Sequence, residues 1–342
     1  GGIGIIAAVL GIFVFIARET LPLFTDPEVE IEQELDLTTA GSRPTSSPLS
    51  VTVDPYREVA MVVRADAVEF ISLLDQGSLM KRVVPDGLDL SDVSLTASYI
   101  APDGGLALGT ADGRLWTGSF SFDVRFEGDV RVVEPTLDLG APERIGEGEA
   151  ISALAYRQGG EERAALGVMT RSGRVWAVVR QTEETLFGPG ETQQQAFELT
   201  EHLAGPASAI AVAAAADQLF IGTRDGAVWC WNLPEIDAGP PMLSRFWLAA
   251  PQRAVTAIEL LLGDQSLIVG DEGGGLHAWF RVRETEADAN PAFKRIHRFQ
   301  SHEAPVSSIS TSTRDKQFLT GAADGSVALH HATSEQTFLT VS

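Results

Sequence analysis

A formal net charge of −22, from 25 Lys and Arg against 47 Asp and Glu in 342 residues, excludes a nucleic-acid partner, because affinity for phosphate backbones needs clustered cations and the chain has none. With 44% hydrophobic and 21% charged residues the chain can bury a core, and disorder is excluded. Its single cysteine, Cys230, excludes an internal disulfide and a Cys-based metal centre, and between Trp229 and Trp231 it reads as a small hydrophobe in a packed strand.

From Gly1 to Ala17 no side chain is charged or strongly polar. As a helix this run spans about 25 Å, and Leu21, Leu23 and Phe24 extend it past Arg18 and Glu19, whose charged ends can snorkel to the interface. No small-x-small cleavage pattern follows it, so residues 1–24 are expected to form an uncleaved transmembrane anchor. The chain opens on Gly-Gly without an initiator Met, which implies a trimmed preceding stretch and leaves the orientation unreadable from flanking charge. Residues 25–48 read as a strand and linker. Glu28 to Leu37 alternates acidic and apolar side chains at the period of a half-buried strand, and Gly41 to Pro48 is a Ser/Pro-rich break.

Residues 49–342 repeat one theme: an apolar strand, a polar turn, a second apolar strand, an Asp-Gly-type turn and a third strand that often carries Trp. The turns are Asp112-Gly113, Ser172-Gly173, Asp225-Gly226, Gly273-Gly274 and Asp324-Gly325, with a weaker first copy at Arg64 to Val68. Asp-Gly between apolar runs is a hairpin signal, and a type I′ turn with positive φ at both central positions is expected. From Gly113 through Gly173, Gly226 and Gly274 to Gly325 the steps are 60, 53, 48 and 51 residues. These exceed the roughly 40–45 residues of a WD-type blade, and loops such as Gln181 to Glu198 and Arg283 to Ala292 are expected to hold the excess. The predicted fold class is all-β, a β-propeller with six visible blades. A seventh, expected in the full protein, requires either the Glu28–Leu37 strand or sequence beyond Ser342, and the final Thr337 to Val341 run reads as the outer strand of blade six.

These copies resemble WD repeats, although Trp-Asp ends none of the third strands. In that family a His early in a blade bonds through Ser or Thr toward the turn Asp. His302 with Asp324, and His202 with Asp225, stand at the matching places, and the resemblance implies a structural role for both pairs. No phosphate loop, zinc-binding His-Glu motif or nucleophile elbow is present, so no enzyme activity, cofactor or metal is expected.

The anchor ending Leu21-Pro22-Leu23-Phe24, the stretch Phe299 to Val306, Ala323-Asp324-Gly325 and Thr337-Phe338-Leu339 resemble the front end of bacterial phosphate-type (PstC-like) ABC transporter permeases. The resemblance implies a non-catalytic periplasmic propeller domain of an inner-membrane permease, with transporter subunits or a solute-binding protein as partners. The acidic surface argues against the propeller itself trapping phosphate. The alternative is a self-contained, membrane-anchored WD-repeat-like scaffold for protein–protein interaction.

Overall fold

The computed structural model describes residues 47–89, 93–160, 162–185, 188–283, 292–300, 302–333 and 335–341, with the isolated positions 11–13, 15, 18 and 35. Residues 1–33 form a compact unit separate from 34–342, and the described positions in it are helical. The anchor expected over 1–24 therefore lies almost wholly outside the described residues, and among those that are described no helix is long and apolar enough to cross a membrane. Of the strand expected at 28–37 only Leu35 is described, packed with Ala60, Val62, Ile71 and Leu73.

Six antiparallel meanders follow one another along the chain. Blade one comprises β1 (Ser50–Val53), β2 (Val59–Val63), β3 (Val68–Ser72) and β4 (Leu79–Val83). Blade two has β5 (Leu95–Ile100), β6 (Gly105–Thr110), β7 (Arg114–Glu127) and β8 (Val130–Leu139), with the short β9 (Glu143–Arg144) paired to β7. Blade three is β10 (Ile151–Gln158), β11 (Arg163–Thr170), β12 (Val175–Thr185) and β13 (Gly188–Glu198), and blade four is β14 (Ala207–Val212), β15 (Gln218–Thr223), β16 (Ala227–Asn232) and β17 (Met242–Leu248). Blade five is β18 (Val255–Leu260), β19 (Ser266–Asp271), β20 (Gly275–Val282) and β21 (Ala292–Gln300), and blade six is β22 (Val306–Thr311), β23 (Gln317–Ala322), β24 (Val327–His331) and β25 (Gln336–Val341).

The first strands pack in sequence, β1 on β5, then β10, β14, β18 and β22, so they form the inner wall and the fourth strands the rim. A blade flanked on both sides buries both faces of its middle strands, which is why β6 and β19 read as unbroken apolar or small runs rather than alternating ones. Five apolar clusters fill the successive joints, each fully buried Leu, Val or Ile contributing about 1.5–3 kcal/mol of hydrophobic transfer.

Of the segment expected as a loop at 181–198, the described residues 181–185 and 188–198 instead form the outer part of the β12–β13 ribbon, with Thr182 bonded to Thr192 at 2.9 Å and Gln193 to Glu183 at 3.4 Å. Both of its faces are polar, so it carries no period-2 hydrophobic signal although its backbone is paired. Blade two's 60-residue step is absorbed in the same way, by the long β7–β8 hairpin.

Candidate binding surfaces

The blade turns differ from expectation in one respect. Gly113, Gly173, Gly226, Gly274 and Gly325 have φ between +78° and +93°, but Asp112, Ser172, Asp225, Gly273 and Asp324 are not in the positive-φ region. The Gly N–H bonds back to the carbonyl three residues earlier, as from Gly113 to Thr110 and from Gly226 to Thr223. This is a three-residue loop with one left-handed residue, not a type I′ turn, and it leaves the Asp side chain free to fold back. Thr110 Oγ1 donates to Asp112 Oδ1 at 2.6 Å, Thr170 bonds Ser172 at 2.9 Å, and Thr223 donates to Asp225. Burial opposes ionisation of Asp112, but the Thr110 hydroxyl and the Arg114 guanidinium outweigh it and hold the carboxyl below its ordinary range. The Thr two places before Asp112, Ser172 and Asp225 was the legible signal for this device.

In blade six Asp324 and His302 are joined through Ser326. Ser326 Oγ donates to Asp324 Oδ1 at 2.7 Å, and the acceptor-only carboxylate then sets the direction of every bond behind it. His302 Nδ1–H donates to Ser326 Oγ at 2.7 Å, and Nε2 accepts from Thr320 at 2.7 Å. Thr320 in turn accepts from His330 Nε2–H at 2.8 Å, and His330 Nδ1 accepts from Thr337 at 3.1 Å. Both histidines must be neutral for this chain of bonds, and burial lowers both pKa values, His330 to about 4. His202 and Asp225 do not meet in this way: the His202 ring lies 5.6 Å from that of Trp231, and Asp225 takes the Thr223 hydroxyl. A pair not singled out from sequence stands in blade five, where His277 Nε2 lies 2.9 Å from Asp271 Oδ2 while Gly273 and Gly275 N–H groups fill Oδ1.

On the inner wall, three blades converge on one buried polar cluster. Tyr99 on β5 donates to Glu259 Oε2 at 3.0 Å, and Arg157 on β10 donates to Glu259 Oε1, on β18, at 2.8 Å. Burial raises the pKa of Glu259, with Arg157 opposing, and burial raises that of Tyr99. The three groups satisfy one another, so the cluster ties blades two, three and five together and presents no open polar site. A cleft of about 470 Å³ beside blade three, lined by Asp103, Tyr156, Gln158, Arg180, Thr182 and Thr192, is likewise self-satisfied. Arg180 there donates to Glu143 at 2.9 Å, Gln194 at 2.5 Å and Thr117 at 2.5 Å. Cys230 is buried between blades four and five, its thiol pushed up to about 12 by that burial, which makes it inert as a nucleophile.

The outer rim is different. On β17 the side chains of Met242, Leu243, Phe246 and Leu248 are exposed, Phe246 stacking on Trp229 at 5.0 Å, with Arg245 the strand's only charge. Rim strands β4 and β21 carry Lys or Arg, Lys81 and Arg82 on the one and Lys294, Arg295 and Arg298 on the other, whereas β13 has neither and β25 has no charged side chain. Such charges block edge pairing, and β17 lacks all but one of them.

No family model matches the chain, and no curated protein matches it. Solved structures do. It is similar to the β-propeller domain of Cps50 (Swd1) from Myceliophteria thermophila, at 10% identity and a TM-score of 0.57 over 86% of each chain. A chain of the mitotic checkpoint complex is similar at 14% identity and a TM-score of 0.50, over 93% of this chain and 89% of that one. Sqt1 from Chaetomium thermophilum is similar at 18% identity and a TM-score of 0.50, over 84% and 70%. The class defined by fold and neighbours is the WD40-like β-propeller. Within it, the described residues build six blades from divergent repeats.

Proposed function

We propose that the chain is a non-catalytic scaffold for protein–protein interaction, tethered to a membrane by residues 1–24. The observation that carries this reading is the apolar, nearly uncharged edge of β17, because an exposed strand edge of that composition favours association with another polypeptide. The side chains of Asp112, Asp225, Asp324 and His302 are occupied in holding turns. Nothing in the comparisons favours the transporter-permease resemblance, so a periplasmic location and a solute-binding partner rest on that resemblance alone.

The test compares the full chain with a Phe246→Ser, Leu248→Ser variant as bait in extract of the source cells. The expected outcome is a discrete protein held at saturable stoichiometry by the first and lost by the second, with equal melting temperatures. Equal retention by both, or no discrete protein, overturns the reading.

A further inference from the structure

The inner strands share one frame, and one level of it carries charge. From β5 onward each opens with an aliphatic residue followed by Ser or Thr, as Leu95-Thr96, Ile151-Ser152, Ala207-Ser208, Val255-Thr256 and Val306-Ser307. The hydroxyl residue is the extra one in a β-bulge, as the register shift after each opening residue shows. Counted from these shared starts, the fifth residues are Tyr99, Ala155, Ala211, Glu259 and Ser310. The 3.0 Å bond from Tyr99 to Glu259 therefore joins blades two and five past the fully buried Ala155 and Ala211 of the two blades between. Arg157, two residues beyond Ala155 on β10, reaches the same carboxylate.

Glu259 holds this arrangement as an anion. Its Oε2 accepts from the Tyr99 hydroxyl, and Oε1 accepts from Arg157 Nη2 at 2.8 Å and from the Leu260 N–H at 3.1 Å. Arg157, 4% exposed, has one other guanidinium hydrogen bond among the described residues, from Nε to the Val212 carbonyl at 3.5 Å. Arginine cannot shed its proton, so its burial rests on the charge of Glu259. Two further carboxylates already act on it, Asp103 in the β5–β6 turn and Asp264 in the β18–β19 turn. Of the other strands packed on β18, β14, β15 and β22 carry no charged side chain, and Asp271 at the far end of β19 is bonded to His277.

We infer that Arg157 is an acid-released latch on the inner wall: when Glu259 takes up a proton, the guanidinium leaves it for the carboxylates of the turns, and Tyr99 stays bonded to the neutral acid. Burial raises the pKa of Glu259, while Arg157, the Leu260 N–H and Tyr99 hold it down. With the guanidinium gone the buried carboxyl is harder still to ionise, so proton uptake and release of Arg157 favour one another. Proton uptake accordingly begins above the ordinary Glu value of about 4.3, in the folded protein. Burial raises Asp264 as well, against the Ala214 N–H and Arg281, so the exposed Asp103 is the first anchor of the freed cation. The latch makes the turn-side end of the inner wall respond to pH, whatever partner the rim takes.

The test uses the full chain and its Glu259→Gln variant, an uncharged isostere of the protonated acid. Phenylglyoxal at pH 8, with the modified arginines located by peptide mass, is expected to attack Arg157 of the wild type at least about tenfold more slowly than the exposed Arg171. In Glu259→Gln the two rates are expected to agree within about threefold. A variant that melts cooperatively and still protects Arg157 as the wild type does overturns the inference. The wild type is also followed through the Arg157 Nε–H resonance from pH 7.5 to 4.5, which decides the matter alone should the variant fail to fold. That resonance is expected to shift before any loss of near-ultraviolet circular dichroism. No shift, a shift only with unfolding, or an equal titration in the folded variant overturns the inference.

Discussion

At the residue scale, the hydrogen-bond chain running from Thr337 through His330, Thr320, His302 and Ser326 to Asp324 determines how blade six responds to pH. A histidine whose pKa falls on folding contributes nothing adverse above its unfolded pKa of about 6.5, and below that the unfolded chain takes up protons the native state refuses. Stability is therefore fully present above about pH 6.5 and declines toward pH 4, the value near which His330 itself titrates. Denaturant midpoints of the wild type should fall between pH 7.5 and 5 more steeply than those of a His330→Gln variant; parallel curves would rule the mechanism out. The blade turns supply a second residue-scale contrast. At Gly226, with φ +88°, a Cβ would sit 2.0 Å from the Ala250 carbonyl oxygen, whereas Gly128, with φ +65°, has nothing within 4 Å. Gly226→Ala should cost about 3 kcal/mol or more by urea melting, and Gly128→Ala only the left-handed penalty of about 1–2 kcal/mol.

At the scale of the element, the inner-strand bulge is the unit that joins blade to blade. Ser208→Ala removes a hydroxyl that donates to the Val255 carbonyl, and is expected to lower stability by about 1 kcal/mol. Thr256 occupies the same place in blade five, but its enclosed hydroxyl has no partner. Thr256→Val should consequently be neutral or stabilising, because it removes a desolvated polar group at nearly constant volume. Equal losses in the two variants would mean that the bulge hydroxyl acts within its own blade. The aliphatic-Ser/Thr-Ala/Ser pattern was present in the sequence, although only the Asp-Gly turns were read from it. A turn announces itself through residues with special backbone preferences, while a bulge at Ser or Thr looks like any other strand position until the register is known.

For the whole molecule, the cluster of Tyr99, Arg157 and Glu259 ties three blades across the inner wall, with up to 160 residues between its members. Arg157→Leu leaves Glu259 buried without its cation, and should cost about 3–5 kcal/mol by guanidinium melting. Removing the whole cluster, with Arg157→Met, Glu259→Leu and Tyr99→Phe, should restore most of that loss, since no buried charge is left unpaired. A triple variant less stable than Arg157→Leu alone would show that the cluster contributes net stability and is not merely satisfied.

Much of the architecture was legible by itself in the chain. The repeated turns specified an all-β propeller and the six blades seen among the described residues, though not the seventh that was also expected, because positive φ at Gly and the apolar runs around it are local requirements that each residue states alone. The link from His302 to Asp324 followed from a recurring place in the blade, yet His202, at the equivalent place, lies against Trp231 instead. What those residues touch depends on the neighbouring blade, and so do the ribbon at 181–198, the Asp271–His277 pair and the inner-wall cluster. Pairing across a ring joins residues far apart in the chain whose side chains carry no mark of one another. Only tertiary structure could therefore decide which polar groups are spent on one another, and that the apolar side chains of β17 are left exposed.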